Sequence, residues 1–457
     1  MSTTATDLVG DLRAALGDDL LVTDPDLVGG YVRDQSRLTE HGTPLAVVAP
    51  RSTDDVAAAL RWAHAHAVPV VTRGAGSGLV GGANAVDGGL VLTLHRMDRI
   101  VEVDVAGARA VVQPGVITGD LRAAVAAHGL FYPPDPGSVA FCSIGGNVAT
   151  NAGGMCCVKY GVTGDYVLAL EAVLPDGRVV HTGRLPVKGV AGYDLTSLLV
   201  GSEGTLAVVT EVTLRLLPAP TTPGTLVASF TGLTAAGAFV AEVAAAGITP
   251  SMLELMDSTT VTAVNAMAGM GLDEGVVLVL AQCDGPGATA DLAVLEKAAE
   301  RHGAVDVAVS SDAEEAAMLL EARRIALTAL ERVAADTGRQ WLLDDVAVPR
   351  ERMVELVAAI ERIAADHDLT IGVFGHAGDG NLHPTLLYTD ETVALAAFDA
   401  ITAAALAMGG TVTGEHGVGR LKRVWLGREL DPVADELHTG VKRVFDPTGI
   451  LNPGVVR

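Results

Sequence analysis

The sequence predicts an α+β protein in three parts: a glycine-rich first half, a second half built on an antiparallel sheet, and a C-terminal segment that returns to the first. Three observations predict it. A strand, helix, strand unit near the N-terminus runs directly into closely spaced glycines. The composition breaks at Pro218 to Pro223, where PAPTTPG reads as a domain crossing. Beyond the break, apolar strand segments are interleaved with alanine-rich helices. The boundaries that follow are 1–219, 220–425 and 426–457. A chain of 457 residues is too long for one ordinary core.

In chain order, 6–17 reads as a short amphipathic helix, LAVVAP at 45–50 as a strand, and 51–67 as a helix. Ser52 or Thr53 caps that helix, with Asp54 and Asp55 in its first turn. VPVVTRG at 68–74 is the next strand. GGLVLTLHRM and IVEVDVAGARAVVQPGV have strand character, and Thr118 to His128 is a helix ended by Gly129. VLALEAVLPDGRVVH at 167–181 predicts a strand pair across a DG turn, and TLAVVTEVTLRLLP continues in strand. After the break come LVASF, a helix over 234–246, ITPSMLELMD, a helix through 258–269, and VVLVLAQCDG. This region is expected to follow a strand, helix, strand, strand, helix, strand order. Residues 312–335 and 350–367 are helical, IGVFGHAGDGNLHPTLL places two strands around a polar loop, and the tail is a helix running into turns.

Lys and Arg number 31 against 55 Asp and Glu, a net charge of −24. Such a surface repels phosphate backbones, which excludes nucleic acid as a partner. A small anionic substrate then needs local positive charge. Cys142, Cys156, Cys157 and Cys283 form no CxxC pair, which predicts a reducing compartment and no iron–sulfur cluster. MSTTATDLVGDLRAALGDD lacks a basic stretch followed by an apolar one, and no uncharged run is long enough for a bilayer. The expectation is a cytoplasmic protein without a transmembrane segment; peripheral docking at a membrane and a homodimer are left open.

PVVTRGAGSGLVGGA at 69–83 carries Gly74, Gly76, Gly78, Gly81 and Gly82 after a strand. Closely spaced glycines let successive N–H groups face one anion, as a pyrophosphate requires. No GxxxxGK[ST] string occurs, and the spacing is not GxGxxG opening a helix. Taken alone, the cluster reads equally well as a surface loop. PPDPGS at 133–138, SIGGNVATNAGG at 143–154, GVTGDYV at 161–167 and AGYDLTSLLVGSEGTL at 191–206 add further tight segments, with Asn147, Thr150 and Asn151 as hydrogen-bonding side chains. So many close approaches of backbone imply a large, flat cofactor.

These strings resemble the FAD-binding domain of the vanillyl-alcohol-oxidase and para-cresol-methylhydroxylase (PCMH-type) superfamily. The resemblance implies FAD contacts at Arg73, Gly74, Ala75, Gly76, Ser77, Pro136, Gly137, Ser138, Gly145, Gly146, Asn147, Thr150, Asn151, Gly161, Gly204 and Thr205. Some members link the flavin through a histidine or cysteine. The loop at 73–82 has neither, so the FAD is expected to be non-covalent. Lys188 is a further candidate near the flavin.

In the second half, HAGDGNLH places His376 and His383 seven apart across a loop that Gly378 and Gly380 allow to reverse. Two imidazoles and a carboxylate make a common divalent-metal site. GEHGVGR at 414–420 supplies Glu415 and His416, adjacent residues that project differently, one toward a metal and one toward a substrate carbon. Alone, such histidines are more often a hydrogen-bonded loop. The pattern resembles the substrate (cap) domain of the D-lactate dehydrogenase, glycolate oxidase large-subunit and D-2-hydroxyglutarate dehydrogenase branch. That resemblance spans nearly all of 30–455. It implies His376, His383 and Glu415 as ligands of zinc or manganese and His416 as the catalytic base. It also implies Arg323, within LLEARRIALTAL, as the substrate carboxylate clamp, suited by its bidentate fork. Leu320 stands where the branch has tryptophan. Asn381 is a candidate substrate hydrogen-bonder. The implied reaction oxidises a small D-2-hydroxy acid, such as D-lactate, glycolate or D-2-hydroxyglutarate, to the keto acid by hydride transfer to flavin N5. An acceptor protein or quinone takes the electrons onward, since no dinucleotide fingerprint supports NAD. The competing readings are an alkylglycerone-phosphate-synthase-like FAD enzyme, which the paired HxGDGNxH and GEHGVG strings disfavour, and a non-catalytic electron-transfer flavoprotein.

Overall fold

The computed structural model describes residues 5–221 and 223–456; Thr222 of the expected crossing lies outside them. The chain forms two compact units. One comprises Met1–Ala152, Val162–Ala219 and Glu415–Arg457, the other Gly153–Gly161 and Pro220–Gly414. The second unit thus closes at Gly414, whereas the sequence places that boundary at 425, and it takes in the short excursion Gly153–Gly161.

In the first unit, Ala46–Val48, Leu90–Thr93 and Val70–Arg73 are parallel neighbours, and Leu21–Val22 pairs antiparallel at the edge. The crossover from the first of these to Val70–Arg73 is the helix Thr53–His66. Ser52 caps it, its hydroxyl accepting from Asp55 N–H, and Ala67 ends it in the left-handed region at φ 51°. Val56, Leu60 and Ala63, at helical spacing, bury against Val48, Val70 and Leu92. A second, five-stranded antiparallel sheet has the order Ile100–Asp104, Arg109–Val112, Val208–Arg215, Val167–Val173, Val179–Gly183. Its last pair is the expected hairpin, with Gly177 of the DG turn at φ 82°. The helix Thr118–Ala126 packs Leu121 and Val125 into this sheet's core with Tyr132, Ile144 and Val212. The tail helix Pro432–Phe445 contributes Val441 and Phe445 to the same core.

The second unit is one sheet in the order Asp306–Ser310, Gly224–Phe230, Val277–Cys283, Met252–Met256, Thr370–His376, Asn381–Tyr388, Gln340–Leu343, with Val346–Ala347 also on Asn381–Tyr388. Every pairing is antiparallel. Its first part corrects the expected order: strands and helices alternate strictly, through Leu233–Ala245, Ser258–Ala268 and Ala288–Arg301, with no two strands in succession before Ser310. The helix Ala288–Arg301 and the strand Asp306–Ser310 escape the sequence pattern, the strand because it is a largely solvent-facing edge. The excursion Gly153–Gly161 is pinned to this unit. Met155 and Cys156 are buried with Met252 and Leu280, and Asp284 accepts from Tyr160 Oη at 2.6 Å and pairs with Lys159. Among the described residues, no helix is long and apolar enough to cross a membrane.

Candidate active site

Val70–Arg73 delivers the chain into the glycine loop. There Ala75 N–H donates to Ser143 Oγ at 3.2 Å, and the same oxygen accepts from Gly146 N–H at 3.3 Å, capping the helix Ile144–Thr150. A Cβ on Gly74 would lie 2.5 Å from that oxygen, so the loop meets the Ser143 cap only because Gly74 presents no side chain. Gly76 turns at φ 73°, and a side chain there would strike the guanidinium of Arg73. Arg73 is itself buried and donates to Arg33 O at 2.9 Å. Gly204, at φ 68°, lies against Thr72 and Asn452; Thr72 Oγ1 and Asn452 Oδ1 are buried without hydrogen-bond partners. Main chain kept clear of side chains, with orphaned polar atoms beside Gly204, fits a bound dinucleotide.

Several of the expected cofactor contacts also make hydrogen bonds within the protein. Asn147 is buried, and its amide donates to Thr118 Oγ1 at 2.8 Å. Asn151 ends the helix Ile144–Thr150 at φ 53° while its Oδ1 accepts from Gly164 N–H at 2.7 Å. Thr150 Oγ1 bonds back to Gly146 O at 3.3 Å, and Thr205 Oγ1 to Ser202 O at 2.7 Å. Pro136 is buried, Gly137 exposed and Ser138 half-buried, while Gly145 packs on Pro114. Gly161 closes the excursion that belongs to the second unit, and Lys188 is exposed.

Glu203 is a residue that the sequence reading misses. It is buried at φ 50°, and its carboxylate accepts from Val418 N–H at 2.8 Å and Gly419 N–H at 2.9 Å. It therefore holds the turn immediately after Glu415 and His416, both half-buried. Asn452 Nδ2 donates to the carbonyls of Glu203 at 2.7 Å and Gly82 at 2.9 Å, tying this turn to the glycine loop. Burial pushes the Glu203 carboxyl up to about 7, against the two N–H bonds that pull it down.

In the second unit, the hairpin of Thr370–His376 and Asn381–Tyr388 brings both histidines of HAGDGNLH together, their rings 5.0 Å apart and edge to face. Gly380, at φ 86°, makes the reversal. Each imidazole faces a buried carboxylate: His376 Nδ1 is 2.8 Å from Glu254 Oε1, and His383 Nδ1 is 3.6 Å from Asp345 Oδ1. Asp345 also accepts from Asn381 Nδ2 at 2.7 Å, Thr413 Oγ1 at 2.8 Å and Gly414 N–H at 3.0 Å. Asn381 donates further to Val346 O at 3.1 Å, so its amide hydrogens are committed within the protein. Arg323 is buried and pairs through Nε with Glu254 Oε2 at 2.6 Å, its guanidinium 4.8 Å from the Phe374 ring centre; Arg324 is exposed. Leu320 packs into the cluster around Met155 and Met252. The second unit thus offers two buried imidazoles with buried carboxylates behind them, ligand types that suit a divalent metal. Glu254 and Asp345 also escape the sequence reading; the only sequence signal for Glu254 is one acid inside the apolar strand MLELM.

Two family models match, an FAD binding domain over residues 44–183 and the C-terminal domain of FAD linked oxidases over 219–456. The chain is 45% identical to the glycolate oxidase subunit GlcD of Bacillus subtilis, covering 90% of this chain and 88% of the relative. It is 37% identical to a D-lactate dehydrogenase of Anaerostipes hadrus, covering 93% and 92%. The solved structure of p-cresol methylhydroxylase with substrate bound superposes with a TM-score of 0.78 at 18% identity, covering 98% of this chain and 96% of that one, a likeness of fold. With a glycine cradle that fits a dinucleotide and both halves matched, this chain has the fold of p-cresol methylhydroxylase, belongs to the FAD-linked oxidases and is an FAD-dependent oxidoreductase.

Proposed function

We propose that this enzyme oxidises a small D-2-hydroxy acid to the 2-keto acid. The observation that carries the reading is the pair of HAGDGNLH imidazoles, His376 hydrogen-bonded to the buried Glu254 and His383 3.6 Å from the buried Asp345, beside the buried Arg323. Carboxylate-oriented imidazoles are the usual support of a metal ligand set, and a buried guanidinium suits a substrate carboxylate. The relatives named for glycolate and D-lactate support the same substrate class.

FAD, when bound, would supply the hydride acceptor, and a zinc or manganese ion, for which His376, His383 and Glu415 are the proposed ligands, would lower the pKa of the substrate hydroxyl. Arg323 binds and orients the substrate carboxylate. His416 takes the hydroxyl proton as C2 becomes the keto carbon. Asn381, with its amide on Asp345, holds the loop between the histidines rather than reaching for substrate through its N–H groups. The FAD is dissociable, and the electrons leave to an acceptor protein or quinone. Anaerobic mixing with a panel of D- and L-2-hydroxy acids, paired with elemental analysis, tests this. D-2-hydroxy acids should bleach the flavin and their L-enantiomers should not. A flavin that stays oxidised with every member would favour an electron-transfer flavoprotein and overturn the reading.

A further inference from the structure

We propose that Glu254 is a positioning residue that sets two functional faces at once: the cation-binding face of His376 and the anion-binding face of Arg323. The inference rests on the roles just given to those two residues.

Glu254 is the middle residue of Met252–Met256, a strand in which all five side chains are buried, and it is the only polar one. Taking a carboxylate out of water is costly unless partners offset it. Its partners are the two residues on which the proposed chemistry depends. His376 Nδ1 lies 2.8 Å from Oε1 and 3.0 Å from Oε2, and Arg323 Nε lies 2.6 Å from Oε2. Sheet register enforces the first contact, since Leu255 pairs with Gly375 and Met256 with Phe374. The second comes from the last turn of the helix Ala313–Arg324, steadied by Phe374 beneath the guanidinium.

Each contact has a chemical consequence. An imidazole that gives its Nδ1 proton to a carboxylate keeps its lone pair on Nε2, which is the tautomer a cation needs. An ion pair at Nε, close in distance but without hydrogen-bond geometry, fixes where the guanidinium sits and hence where its fork can meet a carboxylate. One buried acid therefore links cation affinity to substrate recognition. A role confined to neutralising Arg323 would leave cation affinity unmoved.

The test compares wild type, Glu254→Gln and Glu254→Asp as flavin-loaded full-length proteins. Each is stripped with chelator and titrated calorimetrically with Zn2+ and, separately, Mn2+. KM and kcat are then measured with the D-2-hydroxy acid that best bleaches wild type. Glu254→Gln should bind the cation about 10–100-fold more weakly and raise KM as well, with flavin stoichiometry unchanged. Glu254→Asp, which keeps the charge but draws it back by one methylene, should bind the cation with intermediate affinity. If Glu254→Gln fails to fold, the Asp variant decides alone. Cation affinity and KM within twofold of wild type in either folded variant would overturn the positioning role while the function stands. A wild type that takes up neither cation would overturn both this role and the metal part of the proposed function.

Discussion

Glu203 makes the stability of the first unit depend on pH in a direction opposite to that of an ordinary salt-bridged acid. Burial raises its carboxyl from 4.5 to about 7, and the N–H bonds from Val418 and Gly419 recover only part of that. A folded pKa above the unfolded one means that the native state holds a proton which the unfolded chain has released. The stabilisation is complete below about 4.5 and is lost as pH rises through about 7. A gap of about 2.5 pH units at 1.36 kcal/mol per unit gives roughly 3 kcal/mol across the window. The clean perturbation is Glu203→Gln, which removes the titration but keeps one acceptor oxygen. Asp257, buried in the second unit and pushed up to about 6, adds a slope of the same sign, so only the difference between wild type and variant reports Glu203. Calorimetric scans of the flavin-loaded proteins from pH 4.5 to 8 should show wild type losing about 3 kcal/mol relative to the variant, about 6 °C or more in Tm. A constant offset reflects the lost acceptor and carries no weight. Parallel curves across the window would refute the assignment of a buried, proton-holding Glu203.

Three further outcomes follow from the site. His383→Ala should abolish cation uptake and turnover while the flavin spectrum stays intact, and full activity with an unchanged metal content would remove it from the ligand set. In rapid mixing, His416→Asn should slow flavin reduction far more than it weakens substrate binding; equal reduction rates would take the base role from it. Gly414→Ala places a Cβ 2.5 Å from Asn381 Cγ, a group held on Asp345 and Val346 and unable to retreat. Overpacking of that kind costs about 1–3 kcal/mol, and an unchanged unfolding midpoint would show that the Asp345 network yields more easily than its hydrogen bonds suggest.

What the sequence makes legible, and what it hides, divides along a physical line. The strands around the glycine loop, the Ser52 cap, the DG hairpin and the helical character of 312–335, though not its division at Ile325, are local, and each is written in adjacent residues. His376 and His383 are legible for the same reason, because one glycine-turned hairpin carries both. The residues that hold these groups in place are not local. Glu254 reaches His376 across 122 positions, Asp345 reaches Asn381 across 36, and Glu203 reaches Val418 across 215. Each is an acid in an apolar or small-residue context, MLELM, LLDDV and VGSEG, and no spacing rule connects it to its target. Such contacts are set by sheet register and by turns in the left-handed region, which a linear pattern does not encode. The same separation hides the internal bonds of Asn147 and Asn151, whose amides also meet Thr118 and Gly164 at distant positions in the chain. A buried carboxylate is costly unless partnered, so a lone acid within an apolar strand is itself a sign that a distant basic or imidazole group must come to meet it. Applied to MLELM, that rule directs attention from Glu254 toward the basic and imidazole groups of the same half of the chain, among which the sheet register selects His376 and the helix end selects Arg323.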